Sequence, residues 1–383
     1  MKSVKMTIAP ILLALSLMTL TLFGSSVAEA HAKTPVSGCN AWTVTPTPNP
    51  GAQNVFDGVA AISQSDVWAV GYTDNQPLTA HWDGTSWSAV PNPVISGQNF
   101  LFAATAISTN DVWAVGQNNS QVLTEQWNGT AWNVVPAPTV GTSSIFQSVA
   151  AIPGGSNVWA VGHSNNGGND QTLIELWNGS SWNIVTSPNI GAGSNDLLGV
   201  VAVSANDAWA VGTHATNKGI YQTLTEQWNG TSWKVVNSPN VSNNGVLWAA
   251  APIPDGKQIW AAGTYQKNGN NNLNLIEQRS EESWNVVHSQ NVSGINNTLF
   301  GITALSARDA WAVGLLYQNS GSNQALTEHW NGTSWSVFYT PNVQGDSILT
   351  AATRVPATKI AWAVGVSYDG SGNSYTIAQS ICL

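Results

Sequence analysis

The stretch Asp111-Val112-Trp113-Ala114-Val115-Gly116, followed by Leu123-Thr124-Glu125-Gln126-Trp127 and then Asn128-Gly129-Thr130-Ala131-Trp132, decides the architecture of this chain. Trp-Ala-Val-Gly, with one Ala-for-Val variant, begins at Trp68, Trp113, Trp159, Trp209, Trp260, Trp311 and Trp362, at intervals of 45, 46, 50, 51, 51 and 51 residues. Self-similarity at such a period marks a repeat architecture whose units bury their faces only against neighbours.

Each unit reads as four short strands. A run of small apolar residues such as Leu101 to Ile107 comes first, and Trp-Ala-Val-Gly is the second. The third reaches Asn128-Gly129, a dipeptide that favours a tight type I′ turn, and the fourth runs from Trp132 to Val135 before a Pro-rich connector. No helical period intervenes, so an all-β, seven-bladed β-propeller of four-stranded antiparallel blades is expected. First hairpins are of two kinds. Ser63 to Asp66, Ser108 to Asp111, Ser204 to Asp207 and Ser306 to Asp309 have polar ends suited to bonding turn backbone, whereas Pro153, Pro254 and Pro356 open loops one residue longer.

The ring closes at the termini. Counted from the repeat, Asn331 of the sixth unit corresponds to Cys382 of the seventh, and the chain ends before a fourth strand. Trp42-Thr43-Val44 supplies that strand, because it matches Trp87 to Val90; aligning Trp42 with Trp335 places Cys39 on Gly332. The only two cysteines thus occupy one hairpin turn, and a Cys39–Cys382 disulfide is expected where a peptide bond would otherwise run. Lys2 and Lys5, the apolar run Ile11 to Phe23 and Ala28-Glu29-Ala30 read as a signal peptide over residues 1–30, cut near Ala30. Residues 31–38 read as a short linker and residues 39–383 as one propeller domain. The expected location is extracellular, where disulfides persist. No other run is long enough to span a membrane.

Of the 383 residues only 8% are charged, with 11 Lys+Arg against 20 Asp+Glu, which argues against a nucleic-acid partner. Twenty Trp is a large excess, and each indole wants an apolar pocket and an N–H partner. Nineteen of them fall on repeat positions, where filling the gap between blades is the expected role. The twentieth, Trp248, stands at a varied inner-strand position held elsewhere by Asp57, Phe102, Gln147, Leu198, Phe300 and Thr350, and is therefore a candidate ligand residue.

The Asp-Val-Trp-Ala-Val-Gly and Trp-Asn-Gly-Thr-Ser-Trp units resemble those of secreted bacterial Trp-rich β-propeller repeat proteins, related in style to tectonin, kelch and BNR (Asp-box) propellers. The resemblance covers residues 41 to 382 and implies the propeller fold; such folds host lectins, hydrolases, oxidases and scaffolds alike. Asp83-Gly84-Thr85-Ser86-Trp87 lacks the residue an Asp-box places between Asp and Gly. Arg279, Arg308 and Arg354 fall at three different repeat positions, so they form no sialidase-like triad, and no cysteine is spare for copper oxidase chemistry.

Glu125, Glu175, Glu226, Glu277 and Glu328 recur on third strands. A glycosidase needs two carboxyls about 5–9.5 Å apart, whereas equivalent third-strand residues of adjacent blades are expected roughly 15 Å apart. Structural staples are the expected role. The loops between second and third strands vary in length and carry His163, His214, Tyr221, Tyr265, Tyr317 and Tyr368, residue types suited to hydroxyl-rich ligands. Asp369 to Asn373 and Asn165 to Asp170 faintly resemble calcium loops, with too few carboxylates for a tight cage, so no cofactor is expected and calcium is the one ion weighed. The expected function is a secreted, monomeric, non-catalytic module binding a glycan or cell-surface polymer through one face. The alternatives are a glycan-cleaving enzyme with its site at the channel mouth and a protein-interaction platform.

Overall fold

A computed structural model describes residues 41–254, 258–267, 271–280, 283–317, 321–338, 340–341, 343 and 345–382. The leader, the linker and Cys39 lie outside them. The strands form seven four-stranded antiparallel sheets. In the first blade the order from the inside outwards is Asn54–Ser63, Asp66–Thr73, Gln76–Trp82 and Trp87–Val90. The last blade takes Asp346–Arg354, Ile360–Tyr368 and Ser374–Cys382 from the C-terminus and Thr43–Thr45 from the N-terminus. Thr43 pairs with Ser380 as Ser336 pairs with His329 in the preceding blade, so the closing strand has the register expected from the repeat. No described helix is long and apolar enough to cross a membrane.

Tryptophans hold the ring together. The second-strand Trp of each blade meets the outer-strand Trp of the next edge to face, at 5.2 to 5.6 Å and 75 to 89°. In five interfaces the Trp that ends the third strand completes a triad, as Trp177 does against Trp113 at 4.7 Å. Arg279 takes that place over Trp209 at 4.3 Å, a cation–π contact, and Ile381 takes it in the cluster of Trp311 and Trp42. The expectation of an N–H partner for every indole holds for only part of the set. Third-strand Trp82, Trp127, Trp228 and Trp330 donate to first-hairpin carbonyls, whereas Trp113, Trp159, Trp260 and Trp311 bury an N–H with no oxygen or nitrogen partner among the described residues. Offset and edge-to-face contacts stabilise such pairs beyond their buried area.

Two turn expectations are corrected. Trp127 pairs with Trp132, which leaves four residues in the outer hairpin and excludes a two-residue type I′ turn. Gly129 takes the positive φ of 92°, while Asn128 Oδ1 accepts hydrogen bonds from Thr130 N, Thr130 Oγ1 and Ala131 N. In the first hairpins the Ser does bond turn backbone, as Asn110 N donates to Ser108 Oγ at 3.3 Å. The Asp instead clamps the third strand: Gln126 Nε2 donates to Asp111 at 2.8 Å, and His81 and His329 lie 2.9 and 3.0 Å from Asp66 and Asp309.

All seven inner strands carry a β-bulge at the same place, with one extra residue opposite the Gly of Trp-Ala-Val-Gly. A Cβ on Gly116 would lie 2.0 Å from the Phe100 carbonyl oxygen, and the other six glycines meet the same obstacle at 1.9 to 2.0 Å. The repeat therefore keeps Gly because the bulged strand approaches its neighbour too closely for any side chain.

Candidate functional site

The seven bulges encircle the channel, and the residue each inserts is Asp57, Phe102, Gln147, Leu198, Trp248, Phe300 or Thr350. Bulges re-aim side chains, and here they do so at one level of the ring. On the first-hairpin side of this level the inner strands line a cavity of about 250 Å³, with Thr105, Ala151, Val201, Ala251, Thr303 and Arg354 in its wall. On the other side stand the connectors and the loops between second and third strands, tied together by backbone bonds such as Asn119 N to Gln98 O and Ser144 N to Ser120 O. Both sets of segments therefore share one face, as expected from the topology.

Asp57 is 6% exposed and neither carboxylate oxygen has a hydrogen-bond partner among the described residues. Burial pushes its carboxyl well above the usual range. Tyr72 and Tyr368 are both raised, first by burial and then by the charge of Asp57, Tyr368 up to about 12. Tyr72 meets Phe100 edge to face at 4.9 Å, Phe100 stacks on Phe102 at 6.3 Å, and Trp248 meets Phe300 at 5.7 Å. Trp248 is half-buried.

A second polar cluster lies between the third and fourth blades. His163 Nδ1 is 3.0 Å from Asp196 Oδ1. Burial lowers His163 and raises Asp196 to about 7, and Asp170 raises both groups; Tyr221 is raised by burial, then Asp196 and Asp170. This slot is equivalent to the one where Tyr72 packs on Phe100, so an aromatic pair in one interface is an acid–imidazole pair in another.

The remaining candidates disperse. His214 is buried. Tyr265 packs against the cluster of Val201 and Trp209, and Tyr368 against Val55 and Ile348. Tyr317 is 38% exposed. The loops weighed for calcium are closed by their own bonds: Asp369 accepts from Ser371 N, Asn373 N, Asn373 Nδ2 and the Tyr375 hydroxyl, and Asn165 donates to Asp170. Among the described residues no group of three or more His, Cys, Asp or Glu could hold a metal ion. Asp57, Tyr72 and Asp196 escape a search for repeated motifs because they break the repeat. Asp196 stands where the other blades have Val55, Phe100, Ile145, Val246, Thr298 and Ile348, and that anomaly is the signal in the sequence.

The recurring glutamates lie away from the channel, on third strands, where all five are fully buried. Four accept a hydrogen bond from the preceding connector: Glu125 from Asn92 at 2.8 Å, Glu226 from Ser187 at 3.1 Å, Glu277 from Ser238 at 2.7 Å and Glu328 from Ser289 at 2.8 Å. These are the inter-blade staples expected. The matching connector position before Glu175 is Ala137, and both oxygens of Glu175 are left without a hydrogen-bond partner among the described residues. Desolvation raises all five, to about 7 for Glu125, Glu277 and Glu328 and about 8 for Glu175 and Glu226.

These features define a closed seven-bladed propeller with one varied residue per blade at its channel. No protein-family model matches the chain, and no curated protein sequence does. Among solved structures it is similar to YCF48 bound to D1 peptide, at 14% identity over 91% of this chain and 97% of that one, with a TM-score of 0.56. It is likewise similar to YCF48 from Cyanidioschyzon merolae (14%, 89% and 98%, 0.57) and to the RRP9 WD40 repeats (10%, 92% and 99%, 0.58). Likeness at this identity shows the propeller fold.

Proposed function

We propose that the protein is a non-catalytic binding module that receives an extended segment of another protein across the connector face, centred on the channel mouth. One observation carries this reading: on a scaffold whose other positions repeat, the seven bulges place residues of six kinds around the channel, of which Gln147, Trp248 and Phe300 are half-buried and Asp57, Phe102, Leu198 and Thr350 are buried. Variation on a rigid frame is how a platform acquires specificity. A similar fold, YCF48, has been solved with a D1 peptide. Selection of a random peptide phage library on the folded protein is expected to enrich sequences whose binding falls at least tenfold in Trp248→Ala. No enrichment over background, or equal binding to the variant, would refute the reading.

A glycan is the second reading, favoured by the exposed rings of Tyr317 and Tyr375. Glycan-array binding that disappears when Tyr265, Tyr317 and Tyr368 are changed to Ala would move the assignment there. Paired-carboxylate cleavage is not proposed, because the ring of bulges carries a single carboxylate, Asp57.

We further propose export with cleavage near Ala30 and closure of the ring by a Cys39–Cys382 disulfide. The register of Thr43 on Ser380 supports the closure, as does Cys382 not being a free thiol. Closing so long a loop stabilises by about 5 kcal/mol in the chain-entropy model. Non-reducing mass spectrometry of the secreted protein is expected to give a mass two hydrogens below that of the reduced mature chain; two alkylatable thiols would exclude the bond.

A further inference from the structure

Asp57 differs from the other buried carboxylates near the inner half of the ring. Asp66 has His81 at 2.9 Å and Asp196 has His163 at 3.0 Å, whereas Asp57 has no ion pair and no hydrogen bond among the described residues. It is the residue inserted by the bulge of the first blade, where the alternatives in other blades are mostly apolar. A carboxylate buried without a partner is unfavourable; Glu175 shares that state on a third strand away from the channel, whereas Asp57 stands on an inner strand at it.

Its surroundings are aromatic. Tyr72, Tyr368 and Phe300 all pack against the cluster of Val55 and Ile348, and Val55 lies two residues before Asp57 on its strand; Tyr72 leads on through Phe100 to Phe102, and Phe300 packs on Trp248. The arc crosses the fifth, sixth, seventh, first and second blades. Aromatic faces attract cations, most strongly where water is excluded. One carboxylate among rings is too poor in oxygen to cage a calcium ion, but it matches an ammonium or guanidinium at the end of an apolar stem, which buries methylenes and charge together. The chain's formal charge of −9 favours association with basic partners.

We propose that Asp57, with Tyr72, Tyr368, Phe300 and Trp248, forms a subsite at the channel mouth for one Lys or Arg side chain of a bound polypeptide. This assignment rests on the reading of the connector face as a polypeptide platform. On binding, the carboxyl gives up its proton to solvent and becomes the counter-charge of the ammonium or guanidinium while the rings grip the stem, so the site selects for charge as well as for shape.

The test uses four small probes on the intact protein: the acetyl amides of lysine, arginine, norleucine and citrulline, followed through the Trp248 indole N–H resonance. The cationic pair is expected to bind saturably and at least tenfold more tightly than the neutral isosteres. Asp57→Asn is expected to remove that preference, leave citrulline binding unchanged and unfold at the same or a higher temperature. Equal binding of cationic and neutral probes to the wild type would overturn the assignment, with no variant needed. Undiminished lysine and arginine binding by Asp57→Asn would overturn it too. Peptides that bind wild type, fail on Trp248→Ala and show no enrichment of Lys or Arg would sink the cation subsite and spare the platform. Failure of every peptide would sink the platform, while the four probes still decide the subsite.

Discussion

Raising the pH from 5 to 8 is expected to lower the unfolding temperature of this protein by about 10 °C. The cause is the set of third-strand glutamates, each desolvated inside a blade interface. Their carboxyls titrate at about 7 (Glu125, Glu277, Glu328) or about 8 (Glu175, Glu226) in the fold, against an ordinary value of 4.5. Between these limits the folded chain holds protons that the unfolded chain has released. Stability is therefore full below about pH 4.5 and falls as pH rises through 7 to 8. A shift of this size is worth on the order of 3 kcal/mol for one carboxyl, and the total is less than five such contributions because relaxation and water entry soften each. Asp57 and Asp196 act in the same direction. His163 and His214, both lowered by burial, oppose it below their ordinary 6.5, but they are two against seven.

Thermal unfolding across the pH range, with the chain non-reduced, measures this directly. A flat or rising profile would show that the glutamates are not buried as described. Two substitutions locate the effect. Glu226→Gln keeps the shape and the Ser187 contact while removing the charge, so it should flatten the profile. Ala137→Ser restores to Glu175 the donor that other connectors supply, so it should pull that carboxyl down and add about 1 kcal/mol at neutral pH.

Trp113→Ala is expected to destabilise the protein by about 3–5 kcal/mol, with Trp248→Ala within about 1 kcal/mol of wild type. Trp113 is fully buried, 4.7 Å from Trp177 and 5.3 Å from Trp182, and its loss leaves a cavity in a blade interface that cannot collapse without shifting two rigid sheets. Trp248 is half-buried, and its one ring contact among the described residues is with Phe300. Urea unfolding of both variants separates an indole that builds the ring from one placed at its mouth. Equal losses would mean that Trp248 is a structural residue too.

Much of this was legible from residue order. The interval between successive Trp-Ala-Val-Gly strings implied seven blades, and counting from them put Thr43 opposite the C-terminal strand in the register observed. The Glu positions were legible as staples, since they recur. What sequence reading mistook was local: Asn128-Gly129 signals a two-residue turn, but pairing of Trp127 with Trp132 imposes four. Of the proposed subsite it singled out Trp248 and Tyr368 and missed Asp57 and Tyr72. The tyrosines chosen for their loop positions disperse, Tyr265 and Tyr368 into apolar clusters and Tyr317 to solvent. Asp57 and Tyr72, which the proposal places at the channel mouth, carry no motif.

The division has a physical reason. Strand period, turn composition and repeat length act along the chain, and seven copies of one pattern average out the ambiguity of any single copy, so the sequence by itself determined blade number, strand order and the closing strand. The meaning of a residue that departs from the pattern depends on neighbours from other blades. Tyr368 packs on the cluster of Val55, two residues before Asp57, across more than three hundred residues, and only the closed ring shows that the Asp57 carboxylate has no partner among the described residues. The bulge that places it is a tertiary fact as well, visible in the sequence only as a glycine that could never be anything else.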